Sequence, residues 1–294
     1  MISSQQIYNY TVTASIQQSL VLDFRDSELF QKMAIKLSVN LPAKEIQSYQ
    51  GDLFDLVLSK ISNNFFKSNL KRKAIRSIIF IDSIENEKEN QESISKLKKA
   101  FENHELTNIL TLEGGIEKTY EEYPVIFGTW HVKNIDPPTI HLPIHNFPSE
   151  IIKDFLYLGD YRGASNLFVL QTLKISRILN CCDECENVYE NDPKIGIKYF
   201  KIPVDDKPSE PLNQFFEKAY DWIEEARNLN ERVLVHCQMG ISRSSSVVIS
   251  YIMKKNSLNF EDARVFVYQN RPAIRPGFHQ QLQEYEQKIL IKEK

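Results

Sequence analysis

The stretch VLVHCQMGISRSS, residues 233–245, constrains the fold of this chain more than any other. Its first three residues form a short aliphatic run, which is typical of a buried strand. The residues that follow, SSSVVISYIMKK, space their apolar side chains for one buried helix face. A tight loop therefore joins the end of a strand to the start of a helix. This arrangement directs backbone N–H groups and a helix N-terminus towards an anion.

Strand-like and helix-like segments alternate in both halves of the chain. The predicted strands are SLVLDF and SIIFID in the first half, and ISRILNCC, KYFKIPV and RVLVHC in the second. The predicted helices are GDLFDLVLSKISNNFF, ESISKLKKAFENHE, PLNQFFEKAYDWIEEARNLN and two segments near 259–270 and 277–291. This alternation predicts an α/β fold class: two α/β domains, each with a central, mostly parallel sheet flanked by helices.

A proline-containing segment separates the two halves. The chain has 294 residues, enough for two domains, and residues 131–150 contain Pro137, Pro138, Pro143 and Pro148. Because proline opposes helix and central strand, this segment is predicted to be a linker. The predicted domains are therefore residues 1–130 and 151–294.

Composition excludes several classes of protein. A net charge of −3 gives no field that would recruit nucleic acid or an anionic membrane. No run of about 18 apolar residues predicts a membrane span, and the N-terminus lacks the pattern of a secretory signal. Four cysteines do not form a disulfide framework in a chain of this length. We therefore expect a reducing, cytoplasmic location, with the nucleus left open.

Cys237 and Arg243 are suited to nucleophilic attack on a bound oxyanion. Cysteine attacks as the thiolate, and a helix N-terminus, converging loop N–H groups and an arginine all favour that form. The planar fork of Arg243 suits two oxygens of a phosphate. Gly240 lets the loop bend, and Ser244 is placed to donate to the sulfur. The other residues of the predicted phosphate-binding loop are His236, Gln238, Met239, Ile241 and Ser242.

The spacing HCxxGxxR resembles the signature loop of the cysteine-dependent protein tyrosine phosphatases, and most closely that of the dual-specificity branch. We call residues 236–244 the signature loop. The resemblance covers about residues 150–290 and includes the segments DFLYLGDYRGASN, ISRILNCC and NRPAIRPGFHQQLQEYE. It implies a shallow site open to phosphotyrosine, phosphoserine and phosphothreonine in protein substrates. It also implies that His236 hydrogen-bonds locally and keeps the cysteine ionised.

The resemblance further implies a general acid on a loop before the cysteine. Matching IPVDDKPSEPLNQFF to the family pattern places this acid at Asp206, and Asp205 remains an alternative. In the implied mechanism the cysteine forms a phosphocysteine, the acid protonates the leaving oxygen, and water then releases phosphate. This chemistry requires no metal and no cofactor.

The N-terminal half, about residues 5–128, resembles a rhodanese-like domain through SLVLDFRDSELFQKMAIKLSVNLP and SIIFIDS. It contains no cysteine, so it is predicted to be regulatory and not a sulfurtransferase. The combination of domains resembles that of the MAP kinase phosphatases, in which a basic cluster docks the kinase. The candidate docking residues are Lys71, Arg72, Lys73 and Arg76. A solvated basic turn before a strand is the alternative interpretation.

A second cysteine cluster lies in NCCDEC. Cys182 and Cys185 have CxxC spacing, but the sequence offers no second cysteine pair, so no metal site is predicted. One hypothesis is a reversible disulfide between Cys237 and Cys181, Cys182 or Cys185.

Two other functions remain open. One is a module that binds phosphoproteins without cleaving them. The other is a phosphatase for phosphoinositides or RNA 5′-phosphates, although the neutral Gln238 and Met239 favour a protein substrate.

Overall fold

The structure is a computed structural model with two compact units, residues 1–142 and 143–294. Each unit has its own sheet and hydrophobic core. The structure describes residues 1–13, 19–36, 38–62, 64–75, 77–82, 87–128 and 147–292.

The first unit contains a four-stranded parallel sheet in the order β3-β1-β4-β5. Its strands are β1 (Ser19–Asp23), β3 (Val39–Asn40), β4 (Ser77–Ile81) and β5 (Ile109–Thr111). Every residue of β1 and β4 is buried, as expected for central strands of a parallel sheet that is covered on both faces. A separate antiparallel pair is formed by β2 (Ala34–Ile35) and β6 (Phe127–Gly128).

Seven helices are described in this unit: α1 (Ser4–Val12), α2 (Ser27–Lys32), α3 (Ala43–Ser48), α4 (Leu53–Lys60), α5 (Asn64–Lys71), α6 (Glu87–Asn103) and α7 (Gly115–Glu122). The single helix predicted for GDLFDLVLSKISNNFF is wrong in one respect, because two helices, α4 and α5, occupy the segment. Asp52 caps the first of them through Phe54 N, and the backbone of Ile61 is extended, which ends it.

The second unit contains a five-stranded sheet in the order β10-β9-β11-β8-β7. Its strands are β7 (Ser149–Ile152), β8 (Leu156–Asp160), β9 (Ile175–Asn180), β10 (Lys198–Lys201) and β11 (Arg232–Cys237). All neighbours are parallel except β7 and β8. β11 lies at the centre, so the carboxyl ends of β8 and β9 flank the residues that follow it.

The helices of the second unit pack around this sheet. They are α8 (Tyr161–Ala164), α9 (Leu167–Thr172), α10 (Phe216–Asn228), α11 (Arg243–Asn256), α12 (Phe260–Asn270) and α13 (His279–Lys292). A short 3-10 helix, Leu212–Phe215, precedes α10. The core between the sheet and the helices includes Val233 and Val235 of β11 and Val247 and Val248 of α11.

The predicted α/β fold class is confirmed in both halves, with central sheets that are largely parallel. Most of the predicted linker, residues 131–146, lies outside the described residues. Its predicted end at residue 150 is too late, because β7 begins at Ser149 and pairs with β8. Among the described residues, no helix is both long and apolar enough to cross a membrane.

Candidate active site

β11 carries His236 and Cys237 to the carboxyl edge of the second sheet. In the strand register, Cys237 lies opposite Asp160 of β8, and His236 lies between Gly159 and Asn180 of the two neighbouring strands. The loop after β11 then leads directly into α11, which begins at Arg243. The predicted strand, tight loop and helix are therefore all present.

Gly240 adopts a conformation that only glycine enters easily. Its φ is +65°, and a Cβ at this position would lie 2.3 Å from the carbonyl oxygen of Gly159. Arg271 supports the same turn: its Nε donates to the Gly240 carbonyl at 2.9 Å, and its Nη1 donates to Ser149 Oγ at 3.2 Å. The backbone N–H of Arg275 donates to the carbonyl of Ile241 at 2.9 Å. The loop is therefore fixed by contacts from distant parts of the unit.

Cys237 is a free thiol, only 1% exposed, at the base of the loop. Ser244 Oγ donates to its Sγ at 3.2 Å. The N-terminus of α11, which favours negative charge, begins six residues further along the chain. The structure thus brings the cysteine, the serine donor and the helix N-terminus together.

His236 is almost fully buried, and its charged form is disfavoured. Burial, with a smaller contribution from the positive charge of Arg243, lowers the pKa of the imidazole to about 4. Its Nδ1 lies 3.4 Å from the carbonyl oxygen of Cys237, so Nδ1 is the donor in that contact. Because the ring is neutral at pH 7, it contributes no positive charge that would stabilise the thiolate.

Arg243 is held by a carboxylate that the sequence did not identify. Its Nη1 and Nη2 donate to the two carboxylate oxygens of Glu184, at 2.8 and 2.6 Å, and Nη1 also donates to the carbonyl of Val204. The guanidinium is 4% exposed, whereas the Glu184 side chain is 47% exposed. The hydrogen bonds from Arg243 are the main reason that the pKa of Glu184 lies below its usual value. No sequence pattern marks Glu184, which follows β9 and lies 59 residues before its partner.

The two candidate acids point in different directions. Asp206 Oδ1 accepts a hydrogen bond from Ser242 Oγ at 2.5 Å, and its Oδ2 lies 3.8 Å from Arg243 Nε. Asp205 instead pairs with Lys207 at 2.7 Å. Only Asp206 therefore contacts the signature loop in these pairings, and its side chain is 47% exposed.

The disulfide near the loop does not include Cys237, unlike the one in the redox hypothesis. Cys182 and Cys185 are joined to each other in a disulfide, while Cys181 and Cys237 are free. The CxxC turn brings the Cα atoms of the first pair to 5.6 Å, within the normal range for a disulfide. All four cysteines are buried, and burial raises the pKa of the Cys181 thiol.

The candidate docking residues lie in the first unit. Lys71, the last residue of α5, Arg72 and Lys73 are exposed, and Lys73 forms an ion pair with Glu105. Arg76 lies outside the described residues. The described part of the cluster is therefore accessible to a partner, as is Met239 of the signature loop, which is 62% exposed.

Comparison with known proteins identifies relatives whose matched regions cover about half to two thirds of this chain. The family model "Dual specificity phosphatase, catalytic domain" matches residues 156–288. A Dictyostelium discoideum protein, "Probable rhodanese domain-containing dual specificity protein phosphatase", is 41% identical over 147 residues, which cover 49% of this chain and 30% of the relative. Human "Dual specificity protein phosphatase 4" is 33% identical over 207 residues, which cover 64% of this chain and 51% of the relative.

The chain thus spans about half, or less, of the length of these curated relatives. The name of the Dictyostelium protein combines the two domain types that the present sequence resembles. Among solved structures, that of the human tyrosine phosphatase-like serine/threonine/tyrosine-interacting protein is 35% identical. It covers 49% of this chain and 99% of its own, with a TM-score of 0.44.

Proposed function

Because the chain belongs, through residues 156–288, to the dual-specificity phosphatase family, we propose that it is a hydrolase that dephosphorylates proteins. Its substrates in this proposal carry phosphotyrosine, phosphoserine or phosphothreonine. The observation that carries the proposal is the convergence of four groups on one loop: the Cys237 thiol, its Ser244 donor, the Arg243 guanidinium and the Asp206 carboxyl.

In the first step the Cys237 thiolate attacks phosphorus and the bond to the leaving oxygen breaks. Loop N–H groups and Arg243 bind the phosphoryl oxygens as their negative charge shifts. Arg243 can do so through its Nε, which has no hydrogen-bond partner among the described residues, while Nη1 and Nη2 remain on Glu184. Asp206, in its protonated form, gives its proton to the leaving oxygen. The product is a phosphocysteine and a free hydroxyl group.

In the second step water attacks the phosphocysteine. Asp206, now a carboxylate, accepts a proton from that water, and inorganic phosphate leaves as the S–P bond breaks. The sulfur departs as a thiolate, and the hydrogen bond from Ser244 Oγ, at 3.2 Å, stabilises its charge. The cycle returns both Cys237 and Asp206 to their starting forms, so it needs no metal or cofactor.

A protein substrate fits the loop surface better than a highly charged one. The two residues after Cys237 are the neutral Gln238 and Met239, and both are exposed. Phosphoinositides and RNA 5′-phosphates carry additional negative charge, which a basic loop would attract more strongly. Apolar contact with Met239 instead suits the side chains beside a phosphorylated residue.

A MAP kinase is the substrate that we propose for docking on the first unit. The exposed cations of Lys71, Arg72 and Lys73 would pair with an acidic groove on the kinase. The ion pair between Lys73 and Glu105 would have to open or be shared in that complex.

The test of the chemistry is hydrolysis of an aryl phosphate in the presence of a metal chelator and a reductant. We expect wild-type turnover, complete loss in Cys237→Ser, and a fall of about 10²–10⁴-fold in Asp206→Ala. Asp205→Ala is the matched control, because it removes the neighbouring carboxylate that pairs with Lys207. It should retain wild-type turnover.

Three outcomes would contradict the proposal. Activity that survives Cys237→Ser would exclude the phosphocysteine, and activity lost in chelator would indicate a metal enzyme. Tight binding of phosphopeptides without turnover by the reduced wild type would identify a phosphoprotein-binding module instead.

The docking proposal predicts that replacing Lys71, Arg72 and Lys73 by Glu abolishes capture of a MAP kinase and leaves aryl phosphate turnover unchanged. A matched control replaces Lys96, Lys98 and Lys99 of α6 by Glu, which makes the same change of charge elsewhere on the first unit. Equal loss of capture in both variants would show that only net charge matters.

A further inference from the structure

Three possible metal ligands lie together at the start of the signature loop. The ligand atoms of Cys182, Cys185 and His236 are all within 4.8 Å of one another, and all three residues are buried. We propose that, when the two cysteines are reduced, this cluster binds a thiophilic divalent cation of the Zn²⁺ type.

The parallel sheet explains why these sequence-distant residues meet. His236 lies opposite Asn180 in the register of β11 and β9, and Cys181 N donates to the His236 carbonyl at 2.8 Å. The chain then turns back immediately. Asn180 holds that turn, since its Nδ2 donates to the Cys185 carbonyl at 2.8 Å and its Oδ1 accepts from Cys182 N at 3.1 Å. The CxxC turn is therefore anchored beside the imidazole by backbone contacts that do not depend on the sulfurs.

The donor set matches the preference of Zn²⁺. Two thiolate sulfurs and one imidazole nitrogen are ligands that Zn²⁺ prefers, and CxxC is a common spacing for a ligand pair. Two thiolates balance the charge of a divalent cation, so the buried site would be neutral overall. Gln238 Oε1 lies 3.1 Å from Cys185 Sγ and can supply the fourth ligand of a tetrahedron. The contact of His236 Nδ1 with the Cys237 carbonyl leaves Nε2 as the nitrogen with a free lone pair.

The disulfide and the metal complex are alternative states of the same pair. A thiol or phosphine reductant reduces the Cys182–Cys185 bond to two thiols and is itself oxidised. Binding of the cation then releases two protons from those thiols. A two-electron oxidant such as a peroxide, itself reduced to water, would join the two sulfurs again as the disulfide, remove both thiolates and so expel the cation.

The cation would also tie two functional segments together. Glu184, which holds Arg243, lies between the two cysteines, and His236 directly precedes Cys237. An occupied site would therefore fix the carboxylate that holds Arg243 in place. Only this effect on turnover depends on the proposed phosphatase function; cation binding itself does not.

The experiment measures Zn²⁺ binding to the full chain carrying Cys237→Ser, which removes the loop thiol as a competing ligand. With a phosphine reductant present, competition against a chromophoric chelator should show one bound equivalent. The double variant Cys182→Ser and Cys185→Ser should weaken binding by more than about 100-fold, since loss of an outer-shell partner alone costs about 10–100-fold. Cys181→Ser is the matched control, a neighbouring buried cysteine outside the cluster, and it should bind like the parent.

A second measurement does not depend on how the variants fold. Co²⁺ bound to the reduced chain should give a thiolate-to-cobalt charge-transfer band, absent from the oxidised chain. The proposal is overturned if the reduced chain binds no cation, if the oxidised chain binds equally well, or if Cys181→Ser loses binding as the double variant does. Since turnover is absent in the Cys237→Ser chain, none of these readings depends on phosphatase activity.

Discussion

Two buried arginines, one in each unit, each form a forked ion pair with a carboxylate, but the two carboxylates differ in their exposure to solvent. Arg25 follows β1 and is forked onto Asp23, with Nη2 2.7 Å from Oδ2 and Nε 3.0 Å from Oδ1. Arg243 follows β11 and is forked onto Glu184. Asp23 is fully buried, whereas Glu184 is 47% exposed.

The difference in exposure separates an ion pair enclosed by protein from one whose carboxylate faces solvent. Arg25 also donates to the Met33 carbonyl, and its own backbone N–H donates to Asp23, so the pair is closed on all sides by the protein. Arg243 has an exposed partner that water can hydrate, and its Nε finds no hydrogen-bond partner among the described residues. Arg243 therefore keeps an N–H group for an incoming anion while Glu184 holds the rest of the guanidinium, whereas the Asp23 side chain is out of contact with solvent.

The largest expected difference is in stability. Arg25→Ala leaves the Asp23 charge buried and unpaired, which should lower the free energy of unfolding by about 3–5 kcal/mol. Arg243→Ala leaves Glu184 able to hydrate, so the loss should be about 1–3 kcal/mol, from the unpaired Val204 carbonyl. Urea unfolding with peptide-resolved hydrogen exchange measures each unit separately. Equal losses would show that the exposure of the carboxylate does not matter.

Activity should respond in the reverse order. Arg243→Lys keeps the charge but loses the planar fork, and turnover of an aryl phosphate should fall by about 10²–10³-fold. Arg25→Lys makes the same exchange in the first unit and should leave turnover unchanged. If Arg25→Lys also reduced turnover strongly, the assignment of Arg25 to structure alone would be wrong.

The smallest effect is a contrast in pH dependence. Burial raises the pKa of Asp23 above its usual 3.8, whereas hydrogen bonds from Arg243 lower the pKa of Glu184 below 4.5. The contribution of Asp23 to stability is therefore complete below 3.8 and declines as the pH rises through its raised pKa. That of Glu184 is complete above 4.5 and is lost as the pH falls through its lowered pKa.

Unfolding of Asp23→Asn and Glu184→Gln across this pH range, each compared with the wild type, measures the two slopes. The expected slopes have opposite signs. Slopes of the same sign would mean that the two carboxylates have similar environments after all.

Sequence reasoning succeeded where the relevant residues are neighbours in the chain. The strand, the loop and the helix around Cys237 follow from the periodicity of one continuous stretch, and the position of Gly240 agrees with its positive φ. The α4–α5 division was missed because apolar periodicity continues across the break at Ile61.

The contacts that complete the site come from residues far apart in the sequence. Glu184 and Arg271 reach the signature loop from 59 and 31 residues away, and no local pattern reports such pairings. The sequence also gives no sign that His236 lies close to Cys182 and Cys185. The three residues meet only because His236 and Asn180 are opposite each other in two neighbouring parallel strands. Sheet order, which sequence periodicity does not encode, supplies this missing information.

The hydrogen bond between Arg271 and Ser149 bears on where an isolated fragment of the second unit should start. Ser149 and Glu150 are both buried, and Glu150 accepts hydrogen bonds from the Tyr157 hydroxyl and the Asp154 N–H, each at 2.8 Å. A fragment that starts at residue 151 would lack Glu150 and its two hydrogen bonds. It would also lack Ser149, which holds the Arg271 side chain that donates to the Gly240 carbonyl. The shortest fragment able to retain a fully supported loop therefore begins upstream of Ser149.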